Sequence, residues 1–478
     1  MSATNWRGSR SDADSALWWL VGVGVLIALM VGLRMSTRIA DRGPVFDERW
    51  ITRPIAEIIR KGWSVPTAID FQETKGPAMI WPYALWGQLF ISNSQEVVPE
   101  DVSGGGRGSG RPEAWTSPIP GGPAPAPPKM LATLRMFSMV CFVLGGALVM
   151  LLAGMCGVRG PPLCLIAVLY ALLPYQLVFG QIVMGEVSFF MLAALMLLVV
   201  VWGMGDGRRS VHPIAGPVFY AILLAVLLHS RIHAIAFAPA VCFVAWQRLD
   251  LRSWPWWLAS ALAGLSRLPL WARWGGPVSS DFQTVHGLGI RLESLTYLGA
   301  AMAVPLGVFL IAWLIRWRRE PLGWLPPAGV IVGLLLSLVA MPDMSVPDAL
   351  ALSLVHDRFQ GLIASLTQLV AGTGTMRMVL IALACMLGLG GLGALLTLAH
   401  RWRVTSLMGV MLRIQAFTLG AGWLLYALTR GFVFDRYLLV WAVALPISWL
   451  VLLPRWLLAV QTVGLLATAA MVIRTWLL

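Results

Sequence analysis

An acidic pair, Asp47-Glu48, follows the first long apolar run of the chain, and a second charged motif, Glu73-Thr-Lys75-Gly-Pro77, precedes the next one. A third carboxylate, Glu186, stands within the apolar stretch GQIVMGEVSFF. An isolated Asp-Glu is ordinarily a pair of solvated loop acids. Carboxylates beside or inside apolar sequence are different, because holding them charged near lipid is costly and they persist mainly where something uses them. Such groups are candidates for proton transfer or ligand binding, since their surroundings shift their proton affinity.

The elements that must position these groups follow from composition. Of 478 residues, 58% are hydrophobic and 12% charged, with a mean hydropathy of +0.78. Soluble domains carry about 25% charged residues. The chain therefore reads as an all-α polytopic membrane protein whose main partner is the lipid bilayer. The net charge of +13 would suggest nucleic acid in a soluble protein. Here the arginines cluster at the ends of apolar runs, so membrane topology and anionic headgroups account for the excess and no nucleic-acid partner is expected. Cys141, Cys156, Cys164, Cys242 and Cys385 all lie in apolar sequence without metal-ligand spacing, as small buried hydrophobes.

Apolar runs at 17–33, 131–152, 163–180, 187–204, 214–229, 232–247, 254–266, 296–315, 323–340, 378–399, 414–429, 437–453 and 456–473 suggest about 11–13 transmembrane helices. The first lacks a small-residue cleavage site and reads as a retained helix. With a cytoplasmic N-terminus, alternate loops carry Arg7/Arg10, Arg159, Arg208/Arg209, Arg248/Arg252, Arg316/Arg318/Arg319, Arg401/Arg403/Arg413 and Arg455, with almost no acid. The long loops 34–130, 267–295 and 341–377 then lie outside, and Asp47, Glu48, Glu73 and Glu186 share the extracytoplasmic side. A multi-pass plasma (inner) membrane protein is the expected location.

The first loop has parts of its own. Trp50–Lys61 places Ile51, Ile55, Ile58 and Ile59 on one helical face, an amphipathic helix suited to lie on the membrane surface. Met79–Phe90 is aromatic and too short to span. About 92–128 is a Gly/Pro-rich insertion that reads as disordered and carries no chemistry. No internal repeat is visible, so 1–478 is read as a single transmembrane domain whose loop 34–130 bears the acids.

The ordered set of motifs resembles a known superfamily. Phe46-Asp47-Glu48 follows the first span, an amphipathic helix and Glu73-Thr-Lys75-Gly-Pro77 lead into aromatics, and Arg135 opens the second span. Glu186 stands at the mouth of the fourth, and Phe434-Asp435-Arg436-Tyr437 begins a late one. This is similar to the GT-C integral-membrane glycosyltransferases, within them to the protein O-mannosyltransferase and aminoarabinose-transferase group (glycosyltransferase family 39-like), with some likeness to membrane glucosyltransferases in the Asp-Glu loop. Gly76-Pro77 stands where that group often has two prolines, and Glu186 where it often has aspartate.

The resemblance implies transfer of a sugar, with inversion, from a polyprenyl-phosphate carrier to a hydroxyl of a protein, lipid or glycan on the extracytoplasmic face. Asp47 would be the general base with Glu48 as its partner, because inverting transfer needs one carboxylate to take the acceptor proton. Glu73, Lys75, Glu186, His229, Arg231, His233, Arg436 and Tyr437 would bind substrate. Lysine and arginine suit the leaving phosphate. No metal ligands are assigned; a divalent cation is compatible with the acids and histidines, but no spacing supports one. Asp343 and Asp357 stand in the 341–377 loop, which in such a fold can border an acceptor cleft. The alternative is a secondary transporter or lipid flippase, which should carry ionisable groups at mid-span and helices broken in matched halves. An inactive envelope scaffold is the blander option, and it would not need acids gathered from separate loops.

Overall fold

The computed structural model describes residues 12–39, 48–70, 76–91, 128–205, 214–277, 289–318, 323–342, 359–372, 374–428 and 433–477. Helix α1 (Asp12–Thr37) leads to three helices of the first loop, α2 (Glu48–Lys61), α3 (Val65–Ala68) and α4 (Pro77–Phe90). Next come α5 (Pro128–Met155), α6 (Pro162–Ala171), α7 (Gln176–Phe179), α8 (Glu186–Met204) and α9 (Ala215–Ser230). The 3₁₀ turn Ile232–Ala236 enters α10 (Phe237–Leu249), followed by α11 (Trp254–Leu265) and α12 (Leu268–Trp274). The second half contains α13 (Leu292–Ala301), α14 (Ala303–Trp317), α15 (Leu325–Val339), α16 (Leu362–Ala371), α17 (Thr375–His400) and α18 (Leu407–Leu425). The 3₁₀ segment Asp435–Trp441, α19 (Leu445–Leu452) and α20 (Arg455–Leu477) complete it. Strands β1 (Phe359–Gln360) and β2 (Val433–Phe434) form one two-residue parallel pairing, Phe359 opposite Val433.

The chain is a polytopic, helical membrane protein. Seven described stretches are long and apolar enough to cross a bilayer, or eight if α13 and α14, bent by 69°, form one span. Four shorter apolar helices, α6, α9, α15 and α16, run alongside. Each apolar run expected from the sequence contains a helix or a broken helix. The breaks have a common cause. Pro174, Pro305 and Pro446 lack the N–H that would continue the helix, which stops or bends close to each. At the last break Gln415 supplies what the backbone loses: its amide accepts from Ala444 N–H (2.7 Å) and donates to the Trp441 carbonyl (2.5 Å). A small apolar cleft opens between these breaks, lined among others by Pro174, Tyr175, Pro305, Leu362, Leu438 and Ala442.

The bundle has two chemically distinct ends. At one, arginines donate to carbonyls at or just beyond helix C-termini, where the helix leaves its last carbonyls without partners. Arg248 reaches the Met204 and Val404 carbonyls (2.9 and 2.6 Å), Arg413 those of His400 and Trp402 (2.9 and 3.0 Å), and Arg316 that of Leu452 (2.8 Å). These are arginines of the acid-poor loops. The other end gathers the exit of α1, the entries of α5 and α8 and the exit of α9. Helix α1 runs antiparallel to α5, with Trp19 bonded to the Ala147 carbonyl (3.2 Å) and Arg135 to that of Ile39.

One expectation changes. Helix α2 is amphipathic as read, but Ile51, Ile55 and Ile58 are fully buried in the protein core, against α4, and do not face lipid. A stripe of isoleucines shows that one face must leave water, and α4 was available to cover it. Helix α4 turns Leu85, Leu89 and Phe90 outward instead.

Close packing in the second half depends on glycines of α17. A Cβ at Gly391 would sit 2.3 Å from the Leu306 carbonyl of α14. Gly391→Val is therefore expected to lower the thermal midpoint of the detergent-solubilised protein by several degrees, by driving α14 from α17. Gly464→Ala, where a Cβ meets nothing within 4 Å, should leave the midpoint unchanged or raise it slightly.

Candidate active site

Glu48 begins α2 and is completely buried. Arg135, equally buried, clasps it with two parallel bonds: Nε–H to Oε1 (3.0 Å) and Nη2–H to Oε2 (2.6 Å). Val183 N–H donates to the same Oε1 (2.7 Å), and the Thr52 hydroxyl donates to the Glu48 carbonyl (2.6 Å). One carboxylate thus ties the first loop to α5 and to the turn that delivers Glu186. Two forked guanidinium bonds fix orientation as well as distance.

Glu186 occupies the first turn of α8, where the helix dipole favours a negative charge. It is 3% exposed. Arg231, at the exit of α9, donates through Nη2 to Oε1 at 2.5 Å, and Nε of Arg436 lies 3.9 Å from the same oxygen. Oε2 has no hydrogen-bond partner among the described residues. Two guanidiniums converge on one carboxylate, a set that can hold an anion. Tyr83 stands nearby, its hydroxyl bonded to Ser138 (2.8 Å). Burial holds that phenol far above its ordinary pKa, with the Cys141 thiol and the Glu186 carboxylate as lesser contributors, so it stays neutral.

A rim closes this end. Gly76 N–H donates to the Ser230 carbonyl (2.9 Å). A side chain at residue 76 would collide with the His229 carbonyl, 1.8 Å from where its Cβ would be, so only glycine brings the first loop this near to α9. The His229 ring meets the Ser266 carbonyl (3.1 Å). Arg267, in the turn between α11 and α12, donates to the Leu228 carbonyl, and its guanidinium lies over the Trp274 ring (5.7 Å). Asp70 and Arg273 form a two-bonded ion pair at the surface, and Trp274 Nε1–H donates to the Ile69 carbonyl (3.2 Å).

The structure brings Glu186, Arg231 and Arg436 together by direct approach and links them to Glu48 through the 183–186 turn. His229 and His233 belong to the neighbouring backbone, but their rings are used elsewhere. His233 stacks on Tyr426 (4.8 Å between centroids), and its carbonyl accepts from Trp441 (3.0 Å). Asp47, Glu73, Lys75, Asp343 and Asp357 lie outside the described residues, as does the side chain of Tyr437 and most of the 92–128 insertion. Among the described residues no group of three His, Cys, Asp or Glu is placed to hold a metal. Sequence reasoning did not assign site roles to Arg135, Arg267 or the Asp70–Arg273 pair. Arginines embedded in apolar sequence, as in LATLRMF and AGLSRLPL, were the available signal for the first two.

Comparison with known proteins gives little to add. No family model matches the chain, and no curated protein does. Among solved structures it is similar to that of ArnT from Cupriavidus metallidurans in the apo state, with 15% identity and a TM-score of 0.35, over 94% of this chain and 78% of that one. A likeness at that level carries no argument.

Two outcomes test the geometry. Removing one partner of a buried ion pair strands the other charge, at about 3–5 kcal/mol. Arg135→Met should therefore sharply reduce the yield and thermal midpoint of the protein, and Glu48→Gln combined with it should recover much of the loss. At the rim, the hydrogen bonds from Arg273 hold the Asp70 carboxyl below its usual 3.8. A depressed pKa contributes stability above the unfolded value, and that contribution is lost as pH falls from 3.8 through the folded value. Proteolytic nicking near residues 62–76 should thus increase only in acid below about pH 4, and Asp70→Asn should show the increased nicking at neutral pH.

Proposed function

We propose that this chain is a GT-C-type membrane glycosyltransferase, moving a sugar from a polyprenyl-phosphate carrier to an acceptor hydroxyl on the extracytoplasmic side of the membrane. The observation that carries the reading is the buried Glu186 with Arg231 and Arg436 beside it, coupled through the 183–186 turn to Glu48. Asp47 is the residue before Glu48, so its Cα lies about 3.8 Å from that of an immovable neighbour. A base joined to a clamped residue starts its search from a fixed point, which is what preorganised catalysis needs.

In this reading Asp47 takes the acceptor proton while the acceptor oxygen bonds to the anomeric carbon from the face opposite the phosphate. The bond from that carbon to the phosphate oxygen breaks, its electron pair stays on the phosphate, and the configuration inverts. Arg231 and Arg436 stabilise the phosphate charge, with Lys75 beside Gly76 as a third cation. Glu48 is a positioning residue: its oxygens are engaged by Arg135 and Val183. Glu186 aligns the two arginines, and its Oε2 accepts a hydroxyl of the sugar. Glu73 and Tyr437 border the donor. In this reading the polyprenyl chain passes the small apolar cleft among the proline breaks, which shares the Asp435–Trp441 segment with Arg436. Arginine-capped helix ends on the opposite face agree with a cytoplasmic placement there and an N-terminus on that side.

A lipid flippase is the second reading, and one observation favours it: interrupted helices around a cleft are a transporter feature as well. Purified protein in vesicles with a labelled polyprenyl-phosphate sugar separates the two. The enzyme yields labelled acceptor and released carrier phosphate, and Asp47→Asn lowers the rate by about 10²–10⁴ with insertion unchanged. Full transfer by Asp47→Asn removes the mechanism. Carrier movement across the bilayer without any transfer establishes the flippase.

A further inference from the structure

Arg267 has no part in the scheme above. It is 3% exposed, and it makes no ion pair among the described residues. Nη1 donates to the Leu228 carbonyl, the Trp274 ring lies against the guanidinium, and Nε has no hydrogen-bond partner among the described residues. A carbonyl at the negative end of α9 and an aromatic face offset part of the cost of burying this cation. They leave the Nε donor without a partner among the described residues, and a buried guanidinium without a counter-ion is an expensive arrangement to keep.

Its surroundings point to what is missing. The guanidinium stands 3.2 Å from where a Cβ of Gly76 would be. Residue 76 directly follows Lys75, so a second cation is attached one residue away. Arg231 lies three residues beyond the Leu228 carbonyl that Arg267 holds, across the C-terminal turn of α9. Three positive side chains are therefore attached to one small patch of backbone, where α9 ends against the first loop and the α11–α12 turn.

We infer that Arg267 is an anion-binding residue that donates through its guanidinium to a phosphate oxyanion seated beside the contact of α9 with the Gly76 turn. On the glycosyltransferase reading, from which this inference takes its ligand, that oxyanion belongs to the carrier lipid. Arg267 then holds the phosphate from the side away from Glu186, and the fork of donors sets its orientation.

The test uses full-length protein in detergent and reads ligand-induced shifts in thermal midpoint. The probes are a short-chain polyprenyl phosphate, the matching uncharged polyprenol and inorganic phosphate. The polyprenyl phosphate is expected to stabilise wild type and the polyprenol not to. Arg267→Gln should weaken the phosphate's apparent affinity about tenfold, the loss of a charge-assisted hydrogen bond, and Arg267→Lys should fall between. Unchanged affinity in Arg267→Gln overturns the inference. A second arm needs no substitution: a polyprenyl phosphate with a photoreactive group beside the phosphate should label residues 266–275 of wild type, and labelling only elsewhere overturns it. Arg267-dependent stabilisation by inorganic phosphate, with no response to the lipid, supports the anion site and removes the carrier lipid as its ligand. Arg267-dependent lipid binding without sugar transfer supports the site and contradicts the enzyme reading.

Discussion

The buried bond between Glu48 and Arg135 is the constraint on which this end of the molecule depends. Neither charge touches water, and each is tolerable only because the other is held in the right place. The pair joins residues 87 positions apart, and the N–H of Val183 adds a third segment. Desolvating two charges is costly, and hydrophobic replacements of the same shape are often at least as stable. What the pair supplies is a fixed orientation for the start of α2.

A similar balance recurs around the site. Glu186 is held by Arg231 with Arg436 close by, Arg267 by a helix-end carbonyl and a tryptophan face, and Asp70 by Arg273 at the rim. The three helix breaks have the same logic in neutral form. A proline stops the helix at each, and at the last one the buried Gln415 takes up backbone groups that this releases. Interrupted backbone is tolerable at membrane depth only where protein satisfies it. The result is an end rich in fixed charges and a small apolar cleft among the breaks.

Much of this was legible from residues alone. Glu186 stood out because a carboxylate in GQIVMGEVSFF has no cheap explanation, and the arginine-rich loops separated the two ends before any coordinates did. The helices came from run length, but the runs 163–180, 296–315 and 437–453 read as continuous, and their breaks beside Pro174, Pro305 and Pro446 appear only in the structure. What stayed hidden was pairing. Nothing local in LATLRMF says that Arg135 meets Glu48, and nothing in AGLSRLPL says that Arg267 lies beside Gly76, since both contacts depend on tertiary packing between distant segments. Helix α2 shows the same limit: its isoleucine stripe predicted burial of one face, but whether lipid or α4 would cover that face was decided by the fold.

The central claim is that charged groups from the first loop, α8, α9 and the Asp435–Trp441 segment serve one phosphate-bearing ligand at one end of the bundle. An electron cryo-microscopy map of the full chain with a bound polyprenyl phosphate tests this most directly. The account predicts the phosphorus within hydrogen-bonding reach of Arg231 and Arg436, the Asp47 carboxylate facing it across an open gap, and the hydrocarbon chain running past Leu438 and Pro305. A phosphate seated among Arg248, Arg316 and Arg413 at the opposite end, or an Asp47 carboxylate directed away from Glu186, would contradict it.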